Sequence, residues 1–214
     1  MPMKIVHYFP STLLTEGGTV RAAIDFCTVL ARRGHEIIWL TCDDTDVPDS
    51  WKNTEFNTPA ISLLDPFQKA SKRLTKKQIS AATEIVQDAD VVHIHAMWLP
   101  SNPQIAKACE AVGTPWVLSI HGMLDDWCME QRGLKKQMYL ATAGRILLRG
   151  ATTFLTTAEE EKRQASRWLK HESVAVIPYI VDLEPYKELP SPQEALDVYG
   201  KCEHPTVLVL GRVH

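Results

Sequence analysis

MKIVHYFPSTLLTEGGTVRAAIDFCTVLARRGHEIIWLTC, residues 3–42, reads as strand, glycine turn, helix and strand. The apolar run Lys4–Phe9 leads into a polar loop that ends at Gly17-Gly18. From Gly18 to Arg33, the residues Ala22, Ala23, Phe26, Leu30 and Ala31 share one stripe at spacings of three and four, which is the period of a helix. Gly34 follows directly, and glycine at that place is a helix-stop signal. Glu36–Cys42 carries IIWL, the nearly continuous apolar run of a strand covered on both faces. Strand, helix and strand in this order make a βαβ unit, and such units build parallel sheets.

The same alternation continues along the chain. Further strands are expected at Ala60–Leu64, Asp90–Ala96, Trp116–Ile120, Thr152–Thr156 and Val174–Ile177. Helices are expected within Thr75–Asp88, Asn102–Val112, Leu134–Arg149 and Ala158–Leu169. The fold class is therefore α/β, with a doubly wound, mostly parallel, Rossmann-like sheet. After Asp182 the prolines 185, 190, 192 and 205 punctuate a polar stretch with one short helix, Gln193–Tyr199. The run 206–210 (TVLVL) then reads as a new strand, four residues before the last, His214. A buried parallel strand needs neighbours and a covering helix. The expected organisation is a domain at 1–183, a linker at 184–205, and the first strand of a truncated second domain at 206–214.

Composition narrows the partners. Net charge is −3, so no overall field favours nucleic acid. The five cysteines, Cys27, Cys42, Cys109, Cys128 and Cys202, form no CxxC pair, which points to a reducing cytoplasm and away from a disulfide framework. The N-terminus has no signal-peptide pattern, and no apolar run reaches the ~20 residues that span a bilayer. Lys69, Lys72, Arg73, Lys76 and Lys77 form a basic run with no acidic residue among them. It is either a solvated face or a peripheral contact with anionic lipid at the inner face of the plasma membrane.

In an open parallel sheet, ligands bind beyond the carboxyl ends of the strands. Those ends carry Gly17-Gly18, then His95 and Trp98, then His121-Gly122, then Thr156, Thr157 and Glu159. Two glycines at a helix start allow close backbone approach to an anion such as phosphate, or simply make a turn. No G-x-G-x-x-G follows the first strand, which counts against a simple NAD enzyme. His121 can donate to a sugar or phosphate, or be satisfied by backbone at a sheet edge. His93 and His95 share one strand face. With His121, Asp125 and Asp126 they are conceivable metal ligands, but helices cover that face, and a packed, hydrogen-bonded role is the expectation. Glu159, Glu160 and Glu161 are either acid–base groups or charges that favour a helix N-terminus.

Seven segments, taken in order, resemble family-four glycosyltransferases, a group of two-Rossmann-domain (GT-B) enzymes. They are MKIVHYFP (3–10), EGGTVRAAIDFCTVLARRGHEI (16–37), DADVVHIHAMW (88–98), PWVLSIHGMLDDW (115–127), GATTFLTTAEEEKR (150–163), VIPYIVDLEPY (176–186) and VLVLGRVH (207–214). The resemblance implies that this half binds an acceptor glycan or lipid-linked acceptor, in cell-surface polysaccharide synthesis, while a second half binds a nucleotide-sugar. It implies that Gly17 and Gly18 approach the donor diphosphate, that Arg212 grips it, and that His121 contacts the transferred sugar. His95, Trp98, Gly122, Asp125 and Glu159 are candidates for contacts with acceptor or sugar. It also implies retention of anomeric configuration, with no metal and no cofactor beyond the donor. Pro178-Tyr179-Ile180-Val181-Asp182 departs from the family's usual Pro-Asn-Gly-Val-Asp. With most of the donor half absent, the chain alone is expected to be inactive and to self-associate through uncovered apolar surface. The competing readings are a non-catalytic fragment and a related sugar-nucleotide epimerase.

Overall fold

The computed structural model describes residues 1–52, 57–68, 71–169, 173–183, 187–189 and 191–200. The expected strand at 206–210 lies outside the described residues, as do Lys69 and Arg212. Residues 1–181 and 182–214 make two compact units.

The first unit holds seven strands in chain order: β1 (Lys4–Tyr8), β2 (Glu36–Thr41), β3 (Ala60–Leu63), β4 (Val91–His95), β5 (Trp116–Ser119), β6 (Thr153–Thr156) and β7 (Val174–Val176). Their helices are α1 (Gly18–Arg32), α2 (Asp49–Lys52), α3 (Lys76–Gln87), α4 (Asn102–Val112), α5 (Asp126–Glu130), α6 (Gly133–Ala141), α7 (Arg145–Gly150) and α8 (Glu159–Ala165). The strands pair in the order β3-β2-β1-β4-β5-β6-β7, all parallel. The order reverses direction between β1 and β4, so the loops after those two strands flank the ligand crevice typical of this fold.

Each strand sends alternate residues to opposite faces. On one face Ile5, Phe9, Ile37 and Trp39 pack with Val20, Ala23, Ile24, Cys27 and Ala31 of α1. On the other, Val6, Tyr8, Val92, Ile94, Leu118 and Phe154 pack with Ala82 and Val86 of α3 and Ile105, Ala106 and Cys109 of α4. Two covered faces explain the continuous apolar strands seen in the sequence. A Thr75–Gln78 capping box starts α3: the Gln78 N–H donates to Thr75 Oγ1 and the Thr75 N–H donates to Gln78 Oε1. In the second unit, α9 (Pro192–Tyr199) opens on the same device at Ser191 and Glu194 and buries no residue.

The short helices α2 and α5 were not expected, and one expected helix is divided. Leu134–Arg149 is two helices, α6 and α7, broken at Thr142 (φ −116°, ψ −102°). The Tyr139 side chain explains why Gly144 stands at the break. A Cβ on Gly144 would lie 2.5 Å from Tyr139 Cε1. That ring cannot swing aside freely, because its hydroxyl donates to the Met97 carbonyl at 3.1 Å. Gly144→Ala is therefore expected to destabilise the protein by about 1–3 kcal/mol, the usual cost of overpacking. Urea unfolding against wild type measures it.

Candidate functional site

β1, β4 and β5 end at one edge of the sheet, and their last side chains build a polar island in an apolar face. The register sets His7 of β1 beside His93 of β4, and His95 of β4 beside Ser119 of β5. His93 and His95 lie on one strand face, as their spacing predicts, and their rings stack at 4.0 Å between centroids. The Phe26 ring of α1 stands edge-on to His93 at 5.6 Å.

Two of these three strands, β4 and β5, run into left-handed residues. Ala96 follows His95 at φ +69°, and His121 sits two residues beyond β5 at φ +56°. Such backbone is strained for a residue with a Cβ and costs about 1–3 kcal/mol. Specific bonds hold both turns. The Asn102 amide donates to the carbonyls of His95 (2.8 Å) and Ala96 (2.7 Å). After His121, Gly122 is also left-handed (φ +72°), and its N–H donates to Glu161 Oε1 at 2.6 Å. The other Glu161 oxygen accepts from the N–H and hydroxyl of Thr157, at 2.6 and 2.7 Å. One buried carboxylate thus ties the β5 tip to the β6 tip.

The His121 side chain bridges interior and pocket. Its Nε2 lies 3.2 Å from His95 Nδ1, and its Nδ1 lies 3.2 Å from the Tyr179 hydroxyl. His95 Nε2 in turn lies 3.1 Å from His7 Nδ1. Burial holds every one of these rings neutral. It pulls the pKa of His7 down to about 3 and that of His121 to about 4, the latter partly offset by the Glu161 carboxylate. His93 and His95 are driven well below the ordinary histidine range by burial and by the neighbouring rings.

An open pocket lies against His121, with Ala22 and Ala23 of α1, Thr157 and Tyr179 among its walls. Gly17 (φ +124°) and Gly18 open α1 one turn before Ala22. No side chain caps that helix start, and a Cβ on Gly18 would meet nothing within 4 Å. The preceding loop is pinned by Asp43, which accepts from Thr12 N–H and the Ser11 hydroxyl, both at 3.2 Å. The helix start therefore lies at the same sheet edge as His121, one turn before the α1 residues that line its pocket.

The remaining sequence candidates take several positions. His95 is 1% exposed and reaches the pocket only as part of its wall. Trp98 faces a second pocket with Tyr139, Arg132, Lys135 and Lys136, the last lying over its ring at 5.3 Å. Asp125 caps α5, accepting from Cys128 N–H at 2.5 Å, and Asp126 pairs with Arg167 at 2.5 Å. Glu159 is exposed in the first turn of α8, and it is Glu161 that reaches His121-Gly122. In the basic run, Lys72 pairs with Glu16 (3.2 Å) and Lys77 with Asp65 (3.0 Å), while Arg73 and Lys76 are exposed or nearly so. His7, His93 and His95 offer ring nitrogens within 4.8 Å of one another, a spacing compatible with a metal. His95 uses both nitrogens in bonds to His7 and His121, and His93 Nε2 is bonded to Ser119 Oγ at 2.7 Å. Sequence reading missed His7, Asn102, Asp43 and Glu161 as organisers. Only His7 had a usable signal, since its strand position matches the parity of His93.

The family model for glycosyltransferase family 4 matches residues 16–185. The chain belongs to glycosyltransferase family 4. This member has the fold of Anabaena HepE solved with UDP and glucose (TM-score 0.65, 16% identity, 92% of this chain and 49% of that one). It also resembles S. aureus MnaA solved with UDP (TM-score 0.60, 16% identity, 92% and 51%). A Listeria monocytogenes structure described as a UDP-N-acetylglucosamine 2-epimerase is similar as well (TM-score 0.51, 11% identity, 82% and 45%). The family-4 chain thus spans about half the length of these structures. No curated protein matches it. Among the described residues no helix is long and apolar enough to cross a membrane.

Two outcomes follow from the site's physics. Glu161→Ala leaves the Gly122 and Thr157 N–H groups without their carboxylate, so a loss of at least about 2 kcal/mol is expected in denaturant unfolding. The buried histidines also set a pH dependence. Their folded pKa values lie below the unfolded value of 6.5, so between the two the unfolded chain binds more protons. Stability is therefore full above about pH 7 and falls as pH drops from 6.5 towards 4. Melting temperatures measured across that range should decline steadily, and a flat profile would contradict neutral burial.

Proposed function

We propose that this chain is the acceptor-side half of a retaining glycosyltransferase. It works with a donor-binding lobe to move a hexosyl group from a nucleotide-sugar to a glycan or lipid-linked acceptor of a cell-surface polysaccharide. The observation that carries the reading is a pocket lined by His121 and by Ala22 and Ala23 of α1, one turn from the uncapped start of that helix. Free helix N–H groups behind two glycines suit a diphosphate. A neutral imidazole at the strand tip suits a sugar oxygen, and charge developing in transfer is stabilised by donors already in position. Arg212 would add a forked cation for the diphosphate. The likeness to two structures solved with UDP supports a uridine nucleotide in the donor. The pocket at Trp98 and Tyr139, with Arg132 and Lys135 at its rim, suits an acceptor that carries phosphate. Metal independence, contact of the basic run with a membrane surface, and self-association complete the reading.

The likeness to a UDP-N-acetylglucosamine 2-epimerase favours one second reading, inversion of a UDP-sugar at C2 without any acceptor. One assay separates the two. Purified chain, and a longer polypeptide that carries a donor lobe, are each incubated with UDP-hexoses with and without acceptor, and products are read by NMR. The proposal expects negligible transfer by the 214-residue chain. From the longer protein it expects acceptor-dependent product with the donor's anomeric configuration. Robust transfer by the short chain, an inverted linkage, or acceptor-independent C2 inversion each goes against it.

A further inference from the structure

The bond chain Tyr179–His121–His95–His7 runs from the pocket rim to the interior and stops there. His7 Nε2 is buried with no hydrogen-bond partner. A neutral imidazole carries one proton, so each ring donates from one nitrogen and accepts at the other. The chain therefore has two self-consistent arrangements. In the inward one the phenol donates to His121 Nδ1, His121 Nε2–H donates to His95 Nδ1, and His95 Nε2–H donates to His7 Nδ1. That arrangement leaves the His7 Nε2–H as an orphaned, buried donor. In the outward one every proton sits on Nδ1: His7 donates to His95, His95 to His121, and His121 to the Tyr179 oxygen. Every donor is then satisfied, because the 49% exposed Tyr179 can give its own proton to solvent. The only orphan is a lone pair at His7. Orphaned buried N–H groups are rare in proteins, and unmet acceptors are less so.

We propose that His7 and His95 are positioning residues that hold His121 as the Nδ1–H tautomer, with that N–H aimed into the pocket and the Tyr179 hydroxyl standing where a ligand oxygen binds. The stack of His93 on His95, and the His93–Ser119 bond, keep the middle ring in line. Tyr179 lies nearly parallel to His121 at 5.8 Å between centroids, with its hydroxyl at the Nδ1 edge of the ring. His121 so set is a hydrogen-bond donor to a hydroxyl or phosphate oxygen and not a general base, since its outward nitrogen already bears the proton. The assignment rests on the sugar-transfer reading for its purpose. Its test needs neither sugar nor partner lobe, so the two can fail separately.

The test is ring-nitrogen NMR on the 15N-labelled chain at neutral pH, with long-range hydrogen–nitrogen correlations that distinguish protonated from bare ring nitrogens. His121, His95 and His7 should all show a protonated Nδ1 and a bare Nε2. Tyr179→Phe should leave the His121 tautomer unchanged while its Nδ1 proton exchanges faster with solvent. His7→Ser places at the inner end a hydroxyl, and room for a water, that accept as readily as they donate. The Nε2–H form of His121 should then become populated. An Nε2–H or doubly protonated His121 in the wild type, a tautomer flip in Tyr179→Phe, or an unchanged pure Nδ1–H form in His7→Ser overturns the assignment.

Discussion

Glu161 joins two strand ends that the sheet alone would leave loose. Its two oxygens take the N–H of Gly122 and both donors of Thr157, so the turns after β5 and β6 share one buried anion. That clamp fixes a left-handed pair, His121-Gly122, which a chain in open solvent would abandon. From this turn the His121 ring reaches back to His95 and outward to Tyr179. If the clamp slips, the ring loses both partners, and the pocket loses its polar wall.

The polar island is tolerated because it is internally paired and uncharged. Three buried rings and the half-buried His121 would repel one another if protonated, and desolvation keeps all of them neutral at physiological pH. Neutrality frees each ring to be both donor and acceptor. The cost falls on acid stability, and the gain is a strand tip that presents a polar atom at a fixed place. The start of α1 needs less machinery. Gly17 supplies a conformation other residues avoid, Gly18 leaves space, and Asp43 ties the loop to the end of β2.

The parallel sheet was legible because period and covering agree. Short runs such as IIWL between turn signals fit strands covered on both faces, and the observed strands fall within two residues of their expected bounds. His121, Gly17 and Gly18 were legible for the same reason, since strand ends at one edge are where ligands gather. The broken helix at Thr142 was not. The glycine that stands there, Gly144, faces the Tyr139 ring, which a bond to Met97 over forty residues earlier holds in place, and no local pattern records that contact. Nor did spacing separate Glu161 from Glu159, because only the pitch of α8 decides which carboxylate turns towards Gly122. The Tyr179 departure was visible as a sequence oddity, but its meeting with His121 needed coordinates.

The central claim is that the start of α1 and the tip of β5 form one binding site for a nucleotide-sugar. Amide and ring chemical-shift mapping with millimolar UDP-glucose tests it most directly. The account predicts coherent shifts at Gly17, Gly18, His121, Gly122 and Tyr179. Shifts confined to other surfaces, with those five unmoved at saturating ligand, would contradict it.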